Sequence, residues 1–234
     1  MTRDQLIQHK ELLESQGKKL SPNSLVIRKY KESLKGLSPM QYEAAIGLVL
    51  GDARIERSKS NNVGHLLKFE WGALNKAYAF HVFELFKEYC ITQPREQVRV
   101  NSKGVSVTTW CFQTLLHPDF DCIGQLFLNN GKKIVPQGLI QNHLTPVGLA
   151  YWFMDDGGMN GSHSHGIQFH TQSFSVTEVD IMVEELANKF EFKCWRGSNK
   201  GKPVINISAS NFTHFKSLTD DYIIGEMKHK LRLR

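Results

Sequence analysis

Leu37-Ser38-Pro39-Met40-Gln41-Tyr42-Glu43-Ala44-Ala45-Ile46-Gly47-Leu48-Val49-Leu50-Gly51-Asp52-Ala53 is the stretch that decides the fold. Ser38 is a good helix N-cap, Pro39 suits the first helical position and Gln41 completes a capping box. The helix then runs through Ala44, Ala45, Ile46, Leu48, Val49 and Leu50. It is apolar on every side, which predicts burial, and a carboxylate stands at its last turn. About a hundred residues later the same pattern returns. Leu144-Thr145-Pro146 opens a second apolar run, and Asp155-Asp156-Gly157 ends it.

The flanking text repeats as well. After Asp52 the periodicity changes to two. His65 to Trp71 alternates, with Leu67, Phe69 and Trp71 on one face. A helix from about Lys76 is apolar at Ala79, Val82, Phe83 and Phe86. A hairpin follows: Val98 and Val100 alternate with Gln97, Arg99 and Asn101, a turn spans Ser102-Lys103-Gly104, and Val105, Val107 and Thr109 return. A helix from about Pro118 to Asn130 closes this half. In the second half Gly157, Gly158 and Gly161 mark a turn. Next comes a strand with Ile167, Phe169 and Thr171 on one face and Gln168, His170 and Gln172 on the other. Ser175 and Glu178 form a capping box for a helix with an apolar stripe at Val179, Met182, Val183, Leu186 and Phe190. A last hairpin pairs Cys194–Arg196 with Val204–Ser208 around Ser198-Asn199-Lys200-Gly201.

Each half therefore reads helix, two strands, helix, two strands, helix. The expectation is an α+β chain with a duplicated αββαββα order and pseudo-two-fold symmetry. Its parts are a basic N-terminal extension (1–36), a first half (37–136) and a second half (137–234). The strands have an apolar face for the covering helices and a polar face left over. The polar face carries Gln97, Arg99, Asn101, Gln168, His170, Gln172 and Asn206, types that hydrogen-bond base edges and phosphates. Any exposed sheet face is polar, so the base-reading role leans on the repeat.

Bulk properties narrow the classes. The chain has 234 residues and 41% hydrophobic content, enough for a sizeable core. No apolar stretch is long enough to span a membrane, and the N-terminus lacks the apolar core of a secretory signal. Cys90, Cys111, Cys122 and Cys194 are scattered, which fits reduced thiols inside a cell. The net charge is +6. Lys189 to Arg234 holds ten Lys/Arg against four Asp/Glu, and Met1 to Lys35 eight against four, so the middle is acidic. Basic ends around an acidic centre suit a polyanion at the periphery and cations in the middle. Ordinary solvated lysines would give the same count.

The two helix ends pose an electrostatic problem. A helix C-terminus carries partial negative charge, and a carboxylate there is unfavourable unless a cation shares the site. Hard cations such as Mg²⁺ prefer carboxylates, carbonyls and water, and free C-terminal carbonyls are at hand. Phosphodiester hydrolysis uses such an ion to activate water and neutralise the leaving oxygen. Taken alone, Asp52 or Asp156 reads as a turn residue after a helix; two matched ends argue against that.

Ala45-Ile46-Gly47-Leu48-Val49-Leu50-Gly51-Asp52-Ala53 resembles the LAGLIDADG signature, and Leu149-Ala150-Tyr151-Trp152-Phe153-Met154-Asp155-Asp156-Gly157 resembles a second copy. The chain is similar to single-chain, double-motif LAGLIDADG homing endonucleases of the mitochondrial-intron type. The likeness runs from Ser38 to the end and includes Phe69-Glu70-Trp71, Asn75-Lys76-Ala77-Tyr78 and Thr171-Gln172-Ser173-Phe174. The resemblance implies motif helices packed between the halves and two saddle-like antiparallel sheets that read a long asymmetric DNA site in the major groove. It implies a monomer that uses Mg²⁺, with Mn²⁺ as a substitute, bound by Asp52 and Asp156 and by the carbonyls of Gly51 and Asp155. By matching position, Lys133 and Lys230 are the basic residues that stabilise transition-state charge or position water; plain phosphate contact is their alternative role. Arg54 and Arg196 join the DNA-contact set. The family's other activity, an RNA maturase aiding intron splicing, would make intron RNA a partner. A non-catalytic DNA-binding regulator is a third class. Organelle-intron members act in mitochondria or chloroplasts.

Departures from the signature are informative. Tyr151 and Trp152 are bulky where the first copy has Gly47 and Leu48, so the two copies cannot pack identically. Ala53 replaces the usual glycine, which requires a backbone that avoids positive φ. His163, His165 and His170 are close in sequence, but the stretch reads as a loop into a strand rather than a zinc site. Asp119, after Pro118, reads as a first-turn helix residue.

Overall fold

The computed structural model describes residues 1–57, 64–100, 104–161 and 165–232. The chain begins with α1 (Arg3–Ser15) and α2 (Leu25–Glu32). It continues with α3 (Pro39–Leu50), β1 (Arg54–Arg57), β2 (His65–Gly72), α4 (Lys76–Phe86), β3 (Arg95–Val100), β4 (Ser106–Gln113) and α5 (Asp121–Phe127). A connecting segment holds β5 (Leu128–Asn129), β6 (Lys132–Lys133) and α6 (Leu139–His143). Then come α7 (Pro146–Asp156), β7 (Gly157–Met159), β8 (Ile167–Phe169), α8 (Val176–Phe190), β9 (Cys194–Asn199), β10 (Lys202–Ile207) and α9 (Phe212–Thr219). The αββαββα order occurs twice, and the fold is of the mixed helix and antiparallel sheet class. By compactness the chain forms two units, Met1–Leu37 with Ser58–Phe120, and Ser38–Arg57 with Asp121–Arg234.

In the first unit β2, β4 and β3 lie side by side in that order, antiparallel, with Phe69 opposite Phe112 and Gln97 opposite Thr109. The alternation in His65–Gly72 places Leu67, Phe69 and Trp71 in the core, where Phe69 stacks on Phe112 and Phe86 of α4. The opposite face carries Gln97, Arg99, Glu70, Thr109 and Cys111. There Arg99 pairs with Glu70 at 3.1 Å and donates to Gln97 Oε1 at 2.8 Å. Val98 and Val100, on the core side of β3, run beyond the helix cover and are exposed.

The N-terminal segment is not a loose arm. Thr2 and Ser24 cap α1 and α2, and Leu6, Ile27 and Tyr30 form a buried cluster with Ile91 and Leu115 against it. Polar anchors complete the docking: Tyr30 Oη donates to the Glu88 carbonyl at 2.5 Å, and Arg3 Nε donates to the Lys87 carbonyl at 2.8 Å. Weak apolar periodicity hid these helices, because short helices need only a few anchors once a partner surface exists.

In the second unit α3 and α7 cross backbone to backbone. A Cβ placed on Gly47 would sit 1.9 Å from the Gly148 carbonyl oxygen, and one on Gly148 would sit 2.9 Å from the Glu43 carbonyl oxygen. The signature alignment sets Gly47 against Tyr151; in space its partner is Gly148, one turn earlier. The bulky residues of α7 turn instead to their own sheet and helix. Trp152 packs on Phe169 with centroids 4.3 Å apart, and Phe153 meets Phe215 of α9 at 5.1 Å. That sheet is antiparallel with strand order β7-β8-β10-β9. Lys200 and Gly201, both left-handed, make its hairpin turn.

Asn130 and Gly131 are left-handed too, with φ of 51° and 75°. They fold Leu128–Asn129 back on Lys132–Lys133 as a tight ribbon, which ends the expected Pro118–Asn130 helix at Phe127. The segment after it is held by α8. Glu185 accepts hydrogen bonds from the backbone N–H groups of Gly138, Ile140 and Gln141, and Lys189 donates to the Ile140 and Gln141 carbonyls. One helix thus satisfies both ends of α6. No helix among the described residues is long and apolar enough to cross a membrane.

Candidate active site

Both signature helices start as expected. Ser38 and Thr145 cap them through their hydroxyls, and a proline occupies the first turn of each. Their ends differ. Asp156 is the last residue of α7, whereas α3 stops at Leu50 and Asp52 lies just past the Gly51 cap. Ala53 is not among the residues with positive φ, and its N–H donates to the Leu48 carbonyl at 2.9 Å, so the alanine fits without strain. A Cβ on Gly51 would lie 2.5 Å from Asp155 Cβ, so the first helix end abuts the second. Across that contact the Asp52 N–H donates to Asp155 Oδ2 at 3.1 Å.

A lysine caps each end. Lys133 Nζ, from the β5–β6 ribbon, donates to the Gly51 carbonyl at 2.9 Å. Lys230 Nζ, from the 3₁₀ turn Gly225–Leu231, donates to the Asp155 carbonyl at 2.6 Å and to Met154 at 2.5 Å. In both copies the lysine thus takes the carbonyl immediately before the signature aspartate. The ammonium groups offset the negative helix ends.

The carboxylates feel burial and one another. Burial pushes the Asp156 carboxyl up to about 7; the Asp52 charge adds to the rise, and Lys133 and Lys230 oppose it. Asp52 keeps its tip in contact with solvent, yet burial among the surrounding atoms also raises it, against Lys230 and Lys133. Burial lowers both lysines, while Asp52, Asp155 and Asp156 hold them up. Two neighbouring carboxylates that resist joint ionisation are a donor set matched to a divalent cation. Among the described residues no cluster of three metal-binding side chains occurs, so a bound ion would complete its shell from carbonyls, water and substrate oxygens.

The pH dependence of the cation-free protein follows. Asp156 keeps its proton in the folded state up to about 7, whereas its ordinary value is 3.8. Between those values the folded state binds more protons than the unfolded chain. Stability therefore falls as pH rises through this window, by at most about 1.4 kcal/mol per pH unit for the one proton. Thermal melts of wild type and Asp156→Asn in chelator test this. The variant should lack that part of the slope; parallel curves would show that Asp156 is not raised.

A cleft of about 380 Å³ opens at these groups, lined by Gly51, Asp52, Asp156, His170, Gln172, Ser173 and Lys202. His170 and Gln172, expected as DNA contacts, share the cleft with the carboxylates, and the His170 N–H donates to the Asp156 carbonyl at 2.9 Å. Burial and Lys230 lower the His170 imidazole, favouring its neutral form. Arg54, exposed at the start of β1, is near enough for its charge to push Lys133 down. Sequence reading missed Ser173 and Lys202 as cleft residues. The quoted Thr171-Gln172-Ser173-Phe174 text was a signal for the first; Lys202 gave none, because the β9–β10 hairpin alone delivers it.

The remaining DNA-contact candidates scatter. Gln168 lies on the polar face of the second sheet, but Asn206 is buried there, its Oδ1 accepting from Gln168 at 2.8 Å and Asn160 at 3.1 Å. Arg196 belongs to the other face: its cross-strand partner is Ile205, and its Nε binds Asp180 of α8 at 2.6 Å. Trp195, its neighbour, is 47% exposed on the polar face. Gln97 and Arg99 sit on the polar face of the first unit. Asn101 and His163 lie outside the described residues. His165 packs against Phe212, with centroids 4.9 Å apart. Asp119 accepts from Tyr89 Oη at 2.5 Å at a 3₁₀ first turn.

Comparison with known proteins agrees with this architecture. A probable intron-encoded endonuclease of Wickerhamomyces canadensis is 41% identical over 99% of this chain and 98% of its own length. A cytochrome b mRNA maturase of Debaryomyces hansenii is 28% identical over 84% of this chain and 75% of its own. The solved structure of the homing endonuclease I-WcaI bound to its DNA recognition sequence superposes with a TM-score of 0.86, at 42% identity over 91% of this chain and 94% of that one. Residues 42–215 match the LAGLIDADG DNA endonuclease family, which carries both helix ends and their cleft, and the chain is a member of that family.

Proposed function

We propose that the protein is a site-specific endonuclease that cuts both strands of a long asymmetric DNA target, acts as a monomer and initiates homing of the intron that encodes it. The observation that carries this is the pair of matched helix ends, each with an aspartate and a lysine on the preceding carbonyl, opening on one cleft. The likeness to an intron-encoded endonuclease and to a homing endonuclease bound to DNA supports it.

Asp52 and Asp156 hold Mg²⁺, with Mn²⁺ as a substitute. Each of the Gly51 and Asp155 carbonyls keeps a lone pair beyond its lysine bond and can add to the shell. When bound, the ion activates water and neutralises developing charge on the phosphate and leaving oxygen. Lys133 and Lys230 hold positive charge at the helix ends, where it would offset the negative charge that builds on the phosphate as it becomes pentacoordinate. His170 and Gln172 bring neutral hydrogen-bonding groups to the cleft that can orient water. Gln97, Arg99, Gln168 and Trp195 offer groove contacts.

Assistance to RNA splicing is the second reading, favoured by the maturase relative. Two complete carboxylate–lysine ends favour cleavage, because splicing assistance does not need them. The compartment follows the intron; an organellar intron would place the enzyme in mitochondria or chloroplasts. Incubation with a randomised duplex library and Mg²⁺, followed by sequencing of the ends, should return one long target cut on both strands. Tight binding without any cut in Mg²⁺ or Mn²⁺ would sink the nuclease reading, and selective capture of the cognate intron RNA would favour the other.

A further inference from the structure

The two lysines are not held alike. Lys230 reaches two successive carbonyls from a 3₁₀ turn. Lys133 reaches one, and its remaining support comes from the start of α8. Its Nζ lies 5.3 Å from the centroid of the buried Phe174 ring. Two residues after it, the Val135 N–H donates to Glu178 Oε1 at 3.0 Å. Glu178 is itself fixed: its other oxygen accepts from the Ser175 N–H at 2.8 Å and the Ser175 hydroxyl at 2.7 Å. The Ile134 N–H, between them, donates to the Phe127 carbonyl at 2.8 Å. A lysine has four rotatable bonds, so without ring and backbone pin it would leave this conformation often. The residues just before Phe174, Gln172 and Ser173, line the cleft.

We propose that Phe174 and Glu178 are positioning residues for Lys133, and that they set the cleavage rate of one DNA strand separately from the other. The inference rests on the reading of the cleft as a nuclease centre. The capping box that starts α8 does two jobs: it begins the helix and clamps the segment that delivers the lysine. Lys230 has no part in this clamp, so the two helix ends can be tuned independently.

Single-turnover cleavage of the selected duplex, each strand labelled separately, tests this. Lys133→Met defines the strand that depends on Lys133. Phe174→Leu should slow that same strand by about 3- to 30-fold, the range from an exposed to a desolvated cation–π contact. The other strand should stay within about twofold, so nicked duplex accumulates. Glu178→Gln, which keeps the shape but weakens the bond to Val135, should shift the same strand by about threefold. In a Lys133→Met background neither change should slow that strand further. Equal slowing of both strands, or no slowing in either variant, overturns the proposal. If Lys133→Met leaves both strands cut at the wild-type rate, the nuclease reading of Lys133 fails first. If it slows one strand and Phe174→Leu does not, only the positioning role fails.

Discussion

Asp52→Asn is expected to lower double-strand cleavage in Mg²⁺ by about a thousandfold or more, with DNA affinity unchanged or slightly improved. The substituted amide would keep the shape of the side chain and the backbone N–H that donates to Asp155. On the proposed mechanism, what would go is the charge that would hold the cation, and with it the water activation and neutralisation of the leaving oxygen that the ion would supply. Affinity should hold because the proposed groove contacts lie elsewhere and because the substitution would remove one negative charge from the cleft proposed to receive the phosphates. The change also relieves Asp156, whose carboxyl is raised partly by Asp52 and would ionise at lower pH. Asp156→Asn should act alike. Gel shifts in Ca²⁺ beside single-turnover cleavage in Mg²⁺ check both halves of this statement. Wild-type cutting by both variants would refute the assignment of the site.

Gly47→Ala should be the most damaging small substitution in the second unit. Two effects compete. Alanine favours a helix interior by about 1 kcal/mol over glycine. Against that, the new Cβ would lie 1.9 Å from a backbone oxygen of α7, which cannot rotate away as a side chain could. Overpacking against backbone costs about 3 kcal/mol or more, so the clash wins. Net of the helix gain about 2 kcal/mol remains, which in a chain of this size corresponds to a fall in Tm of roughly 4–8 °C. Gly158→Ala is the control, since a Cβ there meets nothing within 4 Å. A thermal melt of the two variants decides it; equal midpoints would mean that the helices do not cross at Gly47. The same substitution should reduce cleavage, because a shift of α3 against α7 moves Asp52 away from Asp155.

Much of this was legible in the chain. The caps at Ser38, Thr145 and Ser175, the alternation through Phe69 and the doubled helix–carboxylate ends follow from local rules of helix capping and period. The pairing of Lys133 and Lys230 with the helix ends was legible only through family resemblance, since neither lysine lies near its carbonyl in sequence. Other features escaped. The contact of Arg196 with Asp180 of α8 is one, since it depends on the register that sets Arg196 opposite Ile205. Asn206 reads as a free amide in the sequence, whereas in the fold Gln168 and Asn160 occupy its oxygen. The N-terminal stretch looks unpartnered because Leu6, Ile27 and Tyr30 find their partners, Ile91 and Leu115, more than fifty residues away.

The sequence by itself determined that the two signature helices and the helices beginning near Lys76 and Ser175 exist, where they begin, which residues carry charge at the signature ends and that the pattern occurs twice, because capping, periodicity and dipole effects act over a few residues. Only the tertiary structure decided that Gly47 meets Gly148 rather than Tyr151, that a ring and a backbone pin hold Lys133, and that His170, Gln172 and Lys202 share a cleft with the two aspartates. Those are meetings of residues far apart in the chain, and they are settled by how close two backbones can approach and by which polar groups are left to satisfy once they have.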